Sequence, residues 1–165
     1  MSLGALFSHL SGLYFTGKLA YARAFAQPPA PLAGRGTYVL TFTHGLLDPD
    51  TPVDPEMLWQ FRRAGEHDPG TVAREPLVAS ARELGRRLGE PHCDVVLLGS
   101  VQSSKYTEAL EPVFGERLRI PRELVRRGHL QRGGLLLECA ASGQELEYVG
   151  LDELRVMLAS GRRRR

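Results

Sequence analysis

The sequence predicts an α/β fold: a three-layer, Rossmann-like sandwich around a small, mainly parallel sheet, with an extra N-terminal helix. Three observations predict it. Short β-rich runs alternate with amphipathic helical segments, the pattern of a sheet covered by helices. The run "CDVVLLG" at 93–99 is apolar on both alternating faces, as a strand buried between two helical layers should be. The chain has 165 residues, 42% hydrophobic and 24% charged, which is ordinary for one soluble globular domain with a sizeable core.

Each element has its own justification. Residues 3–26 read as a helix, because Leu6, Leu10, Leu13, Ala20 and Ala24 recur at helical spacing, with Gly12 and Gly17 as weak points. "QPPAPLAGRG" at 27–36 is a linker, since clustered proline and glycine sustain neither helix nor buried strand. "TYVLTFT" at 37–43 is β-branched and aromatic and reads as a strand. It runs into "HGLLDPDTPVDP", a stretch of turn formers. Asp54-Pro55 places an N-cap before a proline at the first helical position and opens a helix to about Ala64. Residues 72–88 form an Arg/Glu-rich amphipathic helix with Leu77, Ala81, Leu84 and Leu88 on one face. After the 93–99 strand come a helix at 105–114 and a strand at 117–120 that stops at Pro121. Helices follow at 121–127 and 133–141, then a strand at 145–149 and a helix at 152–158. The expected assembly is one domain over 1–160, with 93–99 as the central parallel strand flanked by 37–43, and a basic tail at 161–165.

Charge narrows the function classes. Four of the 21 basic residues are the arginines of 162–165, and the rest of the chain carries fewer basic residues than its 19 acidic ones. The body therefore lacks the overall basicity of a nucleic-acid-binding domain. No apolar run is long enough to span a bilayer and no signal-peptide pattern opens the chain, so no membrane role is expected and the expected location is cytoplasmic. Cys93 and Cys139 lie far apart without metal or redox spacing and are expected as reduced thiols. The five histidines form no metal-binding set, and no metal or cofactor is expected.

In a parallel sheet the ligand crevice lies beyond the carboxyl ends of the strands, and that rule selects three loops. The first offers His44 as a general acid–base, because its ordinary pKa lies near neutrality, with Asp48 and Asp50 close enough to orient it. Aspartates in "DPD" are also standard turn residues. The second is "GSVQSSKY". Gly99 lets the chain leave the sheet, while Ser100, Ser103 and Ser104 with Lys105 and Tyr106 would surround the N-terminus of the next helix, where an anion could bind. The fingerprints of nucleotide loops are absent from it. The third is "RRGHLQRGG". Arg127 and Arg132 could grip a carboxylate or phosphate, and Gly133 sits where glycine costs a helix about 1 kcal/mol against alanine, as when something approaches the backbone. Tyr14, Lys18 and Tyr21 share one helix face, where a structural cation–π contact competes with the binding of an acid.

The segment from "HGLLDPD" through "DVVLLGS…KY", about residues 44–134, resembles small bacterial α/β proteins of the DUF6884 and peroxide-stress YaaA-like kind. The matching positions are His44, Gly45, Asp48, Asp50, Gly99, Lys105 and Tyr106. Residues 3–26 stand where that group has its first strand. The resemblance implies a Rossmann-like or glycosylase-like three-layer domain linked to modified nucleobases. The resulting expectation is a protein that binds a nucleotide, nucleoside or similar anionic metabolite, with acid–base chemistry at His44. The alternative is a non-catalytic nucleic-acid- or protein-binding module using the six arginines of 117–132 and the tail.

Overall fold

The computed structural model describes residues 1–65, 74–89, 93–99, 105–125 and 127–162. Helix α1 (Leu3–Phe25) begins at Ser2, whose hydroxyl accepts the Ala5 N–H, and is kinked at Gly12, which takes φ 58°. Its free N-terminal donors meet carbonyls of the "DPDTP" loop: Leu3 N–H donates to Thr51 O at 2.9 Å and Gly4 N–H to Pro49 O at 2.8 Å. That loop is itself held by an Asx-turn, Asp50 N–H to Asp48 Oδ1 at 2.8 Å. The aspartates thus dock the start of the chain.

Strands β1 (Val39–Thr41) and β2 (Gly45–Leu47) form an antiparallel hairpin, with Val39 opposite Leu47 and Thr41 opposite Gly45. Helix α2 (Pro55–Gly65) starts at Asp54, whose carboxylate accepts the Met57 N–H. Helix α3 (Glu75–Leu88) buries Leu77, Ala81, Leu84 and Leu88, the face its periodicity predicts. Then come β3 (Val95–Val96), α4 (Thr107–Phe114), β4 (Leu118–Pro121), α5 (His129–Ser142), β5 (Tyr148–Gly150) and α6 (Leu151–Arg162). The expected helix at 121–127 is only a 3-10 turn, Arg122–Leu124.

These elements do not assemble into a mainly parallel, three-layer sandwich. Among the described residues the molecule is mostly helical with two small sheets, β1–β2 and β3–β4–β5. Strand β3 is parallel to β4, with Val95 opposite Leu118, while β4 and β5 are antiparallel. The 93–99 run is therefore an edge, not a centre, and the 37–43 segment does not flank it.

The hairpin is the physical reason for this difference. After β1 the chain turns back through Phe42–His44, and Gly45, the first residue of β2, takes φ +75°, a conformation that glycine adopts at little steric cost. A side chain at Gly45 would also run into Pro76 O and Ser80 of α3. The loop is closed internally: Thr41 Oγ1 donates to Gly45 O at 2.9 Å and accepts the His44 N–H at 3.2 Å. A partner so close in sequence costs little chain entropy, and β1 takes it instead of the distant β3.

The apolarity of 93–99 on both faces has a different cause from the one expected. Cys93, Val95 and Leu97 pack on the main cluster, built from α3, α4, β4 and α6, whereas Leu98 packs on a second cluster of Tyr21, Leu124, Leu136 and Cys139. The run lies between two cores. Helices α1 and α5 build most of the second core, and they cross backbone to backbone. A Cβ on Gly17 would lie 2.5 Å from Gly133 O, and one on Gly133 would lie 2.8 Å from Leu13 O. The close approach anticipated at "RGG" is that of a helix.

Candidate functional site: a basic corner on an apolar cleft

Between the two clusters lies a cleft of about 690 Å³. Its walls come from α1 (Tyr14, Lys18, Tyr21), the linker, β1, the 94–99 run, and Leu110 and Phe114 of α4, with Tyr106, His129, Glu145 and Tyr148 at its edges. Both segments expected to pair, 37–43 and 93–99, border it, the first through residues 37–40. No ladder joins them, and their facing apolar side chains are what line much of the opening.

Tyr14 organises one corner. Four residues on along α1, Lys18 places its Nζ 4.5 Å from the Tyr14 ring centre and 5.2 Å from that of Phe15. From α5, the His129 ring meets Tyr14 edge-on at 5.2 Å, and the Arg132 guanidinium carbon lies 5.9 Å from the ring centre. The Tyr14 hydroxyl donates to Leu98 O, where the β3 run ends, at a long 3.5 Å. Three nitrogenous side chains from two helices thus surround one aromatic ring. His129 and Arg132 share a face of α5 by their i,i+3 spacing, and the Gly17–Gly133 crossing brings that face to α1.

The charges in this corner lack counter-charges. Among the described residues, neither Lys18 nor Arg132 forms an ion pair. Arg132 is 3% exposed, and its Nε has no hydrogen-bond partner. Glu123 Oε2 is likewise buried without a donor, yet Glu123 and Arg132 are not paired. Burial holds the Lys18 ammonium below the usual lysine pKa, since a low-dielectric wall disfavours the charged form.

At the other end of the α1 wall the polar groups are satisfied. Tyr148 OH donates to Glu145 Oε1 at 2.6 Å. The Tyr21 hydroxyl, 2.8 Å from Tyr148 OH, therefore donates to it and accepts the Leu146 N–H at 2.9 Å. Burial pushes both phenols above the ordinary tyrosine pKa, and Tyr148, which also bonds to Glu145 and Tyr21, is pushed well above it.

The residues singled out from sequence scatter around this site. Gly99 and Tyr106 line the cleft. Lys105 lies over the Tyr106 and Phe42 rings, at 5.0 and 5.7 Å, and is not part of the wall. Ser100, Ser103 and Ser104 lie outside the described residues, as does Arg126. His44 is in the hairpin turn, its Nδ1 2.8 Å from Thr43 Oγ1 and its ring edge-on to Phe61 at 5.4 Å. Asp48 is beyond the other end of β2, in the Asx-turn, with Arg35 at 3.9 Å. The two strand-exit loops do meet, but through Phe42, stacked on Tyr106 at 5.4 Å, and not through any described contact of His44. Arg127 is exposed and donates to Glu123 O, while Gly133 is occupied by α1.

Sequence reasoning set Tyr14 and Lys18 on a helix face where a structural contact competes with the binding of an acid, left them out of the expected site, and passed over His129. The Tyr14–Lys18 face was visible as an i,i+4 pair, and that spacing was the available signal. Nothing local joined it to His129 and Arg132. Compared with known proteins, the chain matches no family model, no curated protein and no solved structure.

Proposed function

We propose that the protein binds a small organic anion with an apolar or aromatic body in this cleft. The acid group would lie at the Tyr14 corner beside Lys18 and His129, with the Arg132 charge behind the ring. The body would lie against the Val95–Val96 strand and α4. The observation that carries the reading is two cations around Tyr14, Lys18 on the wall of an apolar cleft and Arg132 buried behind it, that have no counter-charge among the described residues. An uncompensated buried charge is costly, and such local inconsistency with stable folding marks sites kept for binding. Nucleoside monophosphates and aromatic carboxylates both belong to the class.

The reading as a nucleic-acid- or protein-binding module has less support. Arg119 and Arg122 of the basic segment pair with Asp94, Glu147 and Glu153, while Arg117 and Arg127 donate to backbone carbonyls.

Thermal shift and calorimetry with AMP and with 3-phenylpropanoate test the proposal. At least one should raise Tm in a concentration-dependent way, as a ligand of the native state must. Lys18→Met should weaken that binding roughly ten- to a hundredfold, the worth of a charge-assisted hydrogen bond. Absence of any shift with either compound at millimolar concentration would sink the proposal.

A further inference from the structure

We propose that the cleft takes an oxo acid, an aldehyde or ketone that also bears an acid group, and that Lys18 captures its carbonyl as an imine. The inference rests on the anion-binding reading and deepens it by naming the reacting group.

Four features of the corner converge on an amine used as a nucleophile. Lys18 is part of the wall of a cleft wide enough for a substrate. No described carboxylate holds it as an ion pair, so nothing ties up its protons. Its surroundings are the rings of Tyr14 and Phe15 and apolar wall, and a second cation, Arg132, sits around the same Tyr14 ring. Desolvation and a neighbouring positive charge are the two means by which a lysine is kept partly neutral, and the downward pKa direction at Lys18 agrees with the first. His129, which lines the cleft edge-on to Tyr14, would receive the acid group, with the buried Arg132 charge behind that ring, and this turns capture of the carbonyl into a positioned reaction.

The step balances without any redox partner. The Nζ lone pair forms a bond to the carbonyl carbon while the C=O π pair moves to oxygen. Oxygen takes a proton and nitrogen releases one, giving a carbinolamine. The hydroxyl then takes a proton from solvent, the nitrogen lone pair forms C=N as the C–O bond breaks and water leaves, and the resulting iminium returns one proton to solvent to give the imine. Proton exchange with solvent is open through the mouth of the cleft.

The chain has only two lysines, Lys18 and Lys105, so reductive trapping is easily mapped. The full chain would be treated with phenylpyruvate and borohydride, followed by intact mass and peptide mapping. 3-Phenylpropanoate, the same skeleton without the carbonyl, serves as competitor. Expected is one reduced adduct on Lys18, suppressed by excess 3-phenylpropanoate, kept in Lys105→Arg and lost in both Lys18→Arg and Lys18→Met. The trapping rate should rise with pH around a midpoint below that of an ordinary lysine. An adduct shared between Lys105 and the N-terminal amine, or no adduct while 3-phenylpropanoate still raises Tm, overturns the imine and leaves anion binding standing. No adduct together with no thermal shift from either compound overturns both.

Discussion

Helix α1 makes two contrasting boundaries within two turns of chain. At Gly17 it meets α5 with no side chain between the backbones, and a Cβ there would stand 2.5 Å from a carbonyl oxygen. From Lys18 to Phe25 it borders the cleft instead, leaving apolar wall and an uncompensated ammonium open to a ligand. The contrast teaches how a poorly compensated charge cluster can persist. Left on separate mobile helices, Lys18 and Arg132 would move apart into solvent. The closed crossing holds both helices so that their charges stay around one ring, and the stability comes from contacts that touch no ligand.

Breaking the closed boundary should have the largest effect. Gly17→Ala and Gly133→Ala each force backbone to yield, costing about 2–3 kcal/mol and lowering Tm by roughly 4–12 °C in thermal denaturation. A Tm within a degree of the parent for both would mean that the helices do not cross as described. Binding should fall with them, because the corner loses its geometry.

The satisfied end of the cleft comes next. Tyr148→Phe removes the middle of the Tyr21–Tyr148–Glu145 chain and should cost about 1–2 kcal/mol. Its pH signature has a definite sign. Both phenols are held above the ordinary tyrosine value, so they stay protonated in the native state after the unfolded chain begins to ionise. The stability they add is whole below about pH 10 and is lost as pH rises beyond it. Urea unfolding should show the parent losing stability above that pH more steeply than Tyr148→Phe, and parallel curves would remove the chain from the account.

The buried charge behind the open boundary should respond in the opposite sense. Arg132→Met replaces a buried, unpaired charge by an apolar side chain and should stabilise by about 1 kcal/mol while weakening anion binding. A clear loss of Tm would show that the guanidinium is compensated in the native state. The smallest effect sharpens the glycine comparison. Gly134 adjoins Gly133 in α5, but a Cβ there meets nothing within 4 Å. Gly134→Ala should add about 0.5–1 kcal/mol through helix propensity alone, opposite in sign to its neighbour.

Much of the candidate site could not be read from the chain. The rule that ligands collect at strand exits depends on which strands share a sheet, and the hairpin removed β1 from that sheet. His44 and Asp48 then became turn and docking residues, and Lys105 came to lie over two rings outside the wall. "GLL" at 45–47 was missed as a strand because three residues between turn formers carry too short a pattern. Gly99 and Tyr106 do line the cleft, since the end of a buried run is a local event whatever sheet it joins.

By itself the sequence determined what depends on residues a few positions apart. It placed the buried stripe of α3, the Asp54-Pro55 start of α2 and the weak point at Gly12, because helical periodicity, caps and turns are settled by near neighbours. Only the tertiary structure decided the rest: the partner of each strand, the cleft between 37–40 and 93–99, and the meeting of Tyr14 and Lys18 with His129 and Arg132. Backbone ladders are chemically alike for every candidate partner, so pairing follows loop length and packing. The basic corner exists because two glycines from opposite ends of the chain let two helices touch, and a costly glycine such as Gly133 signals a close approach without naming what approaches.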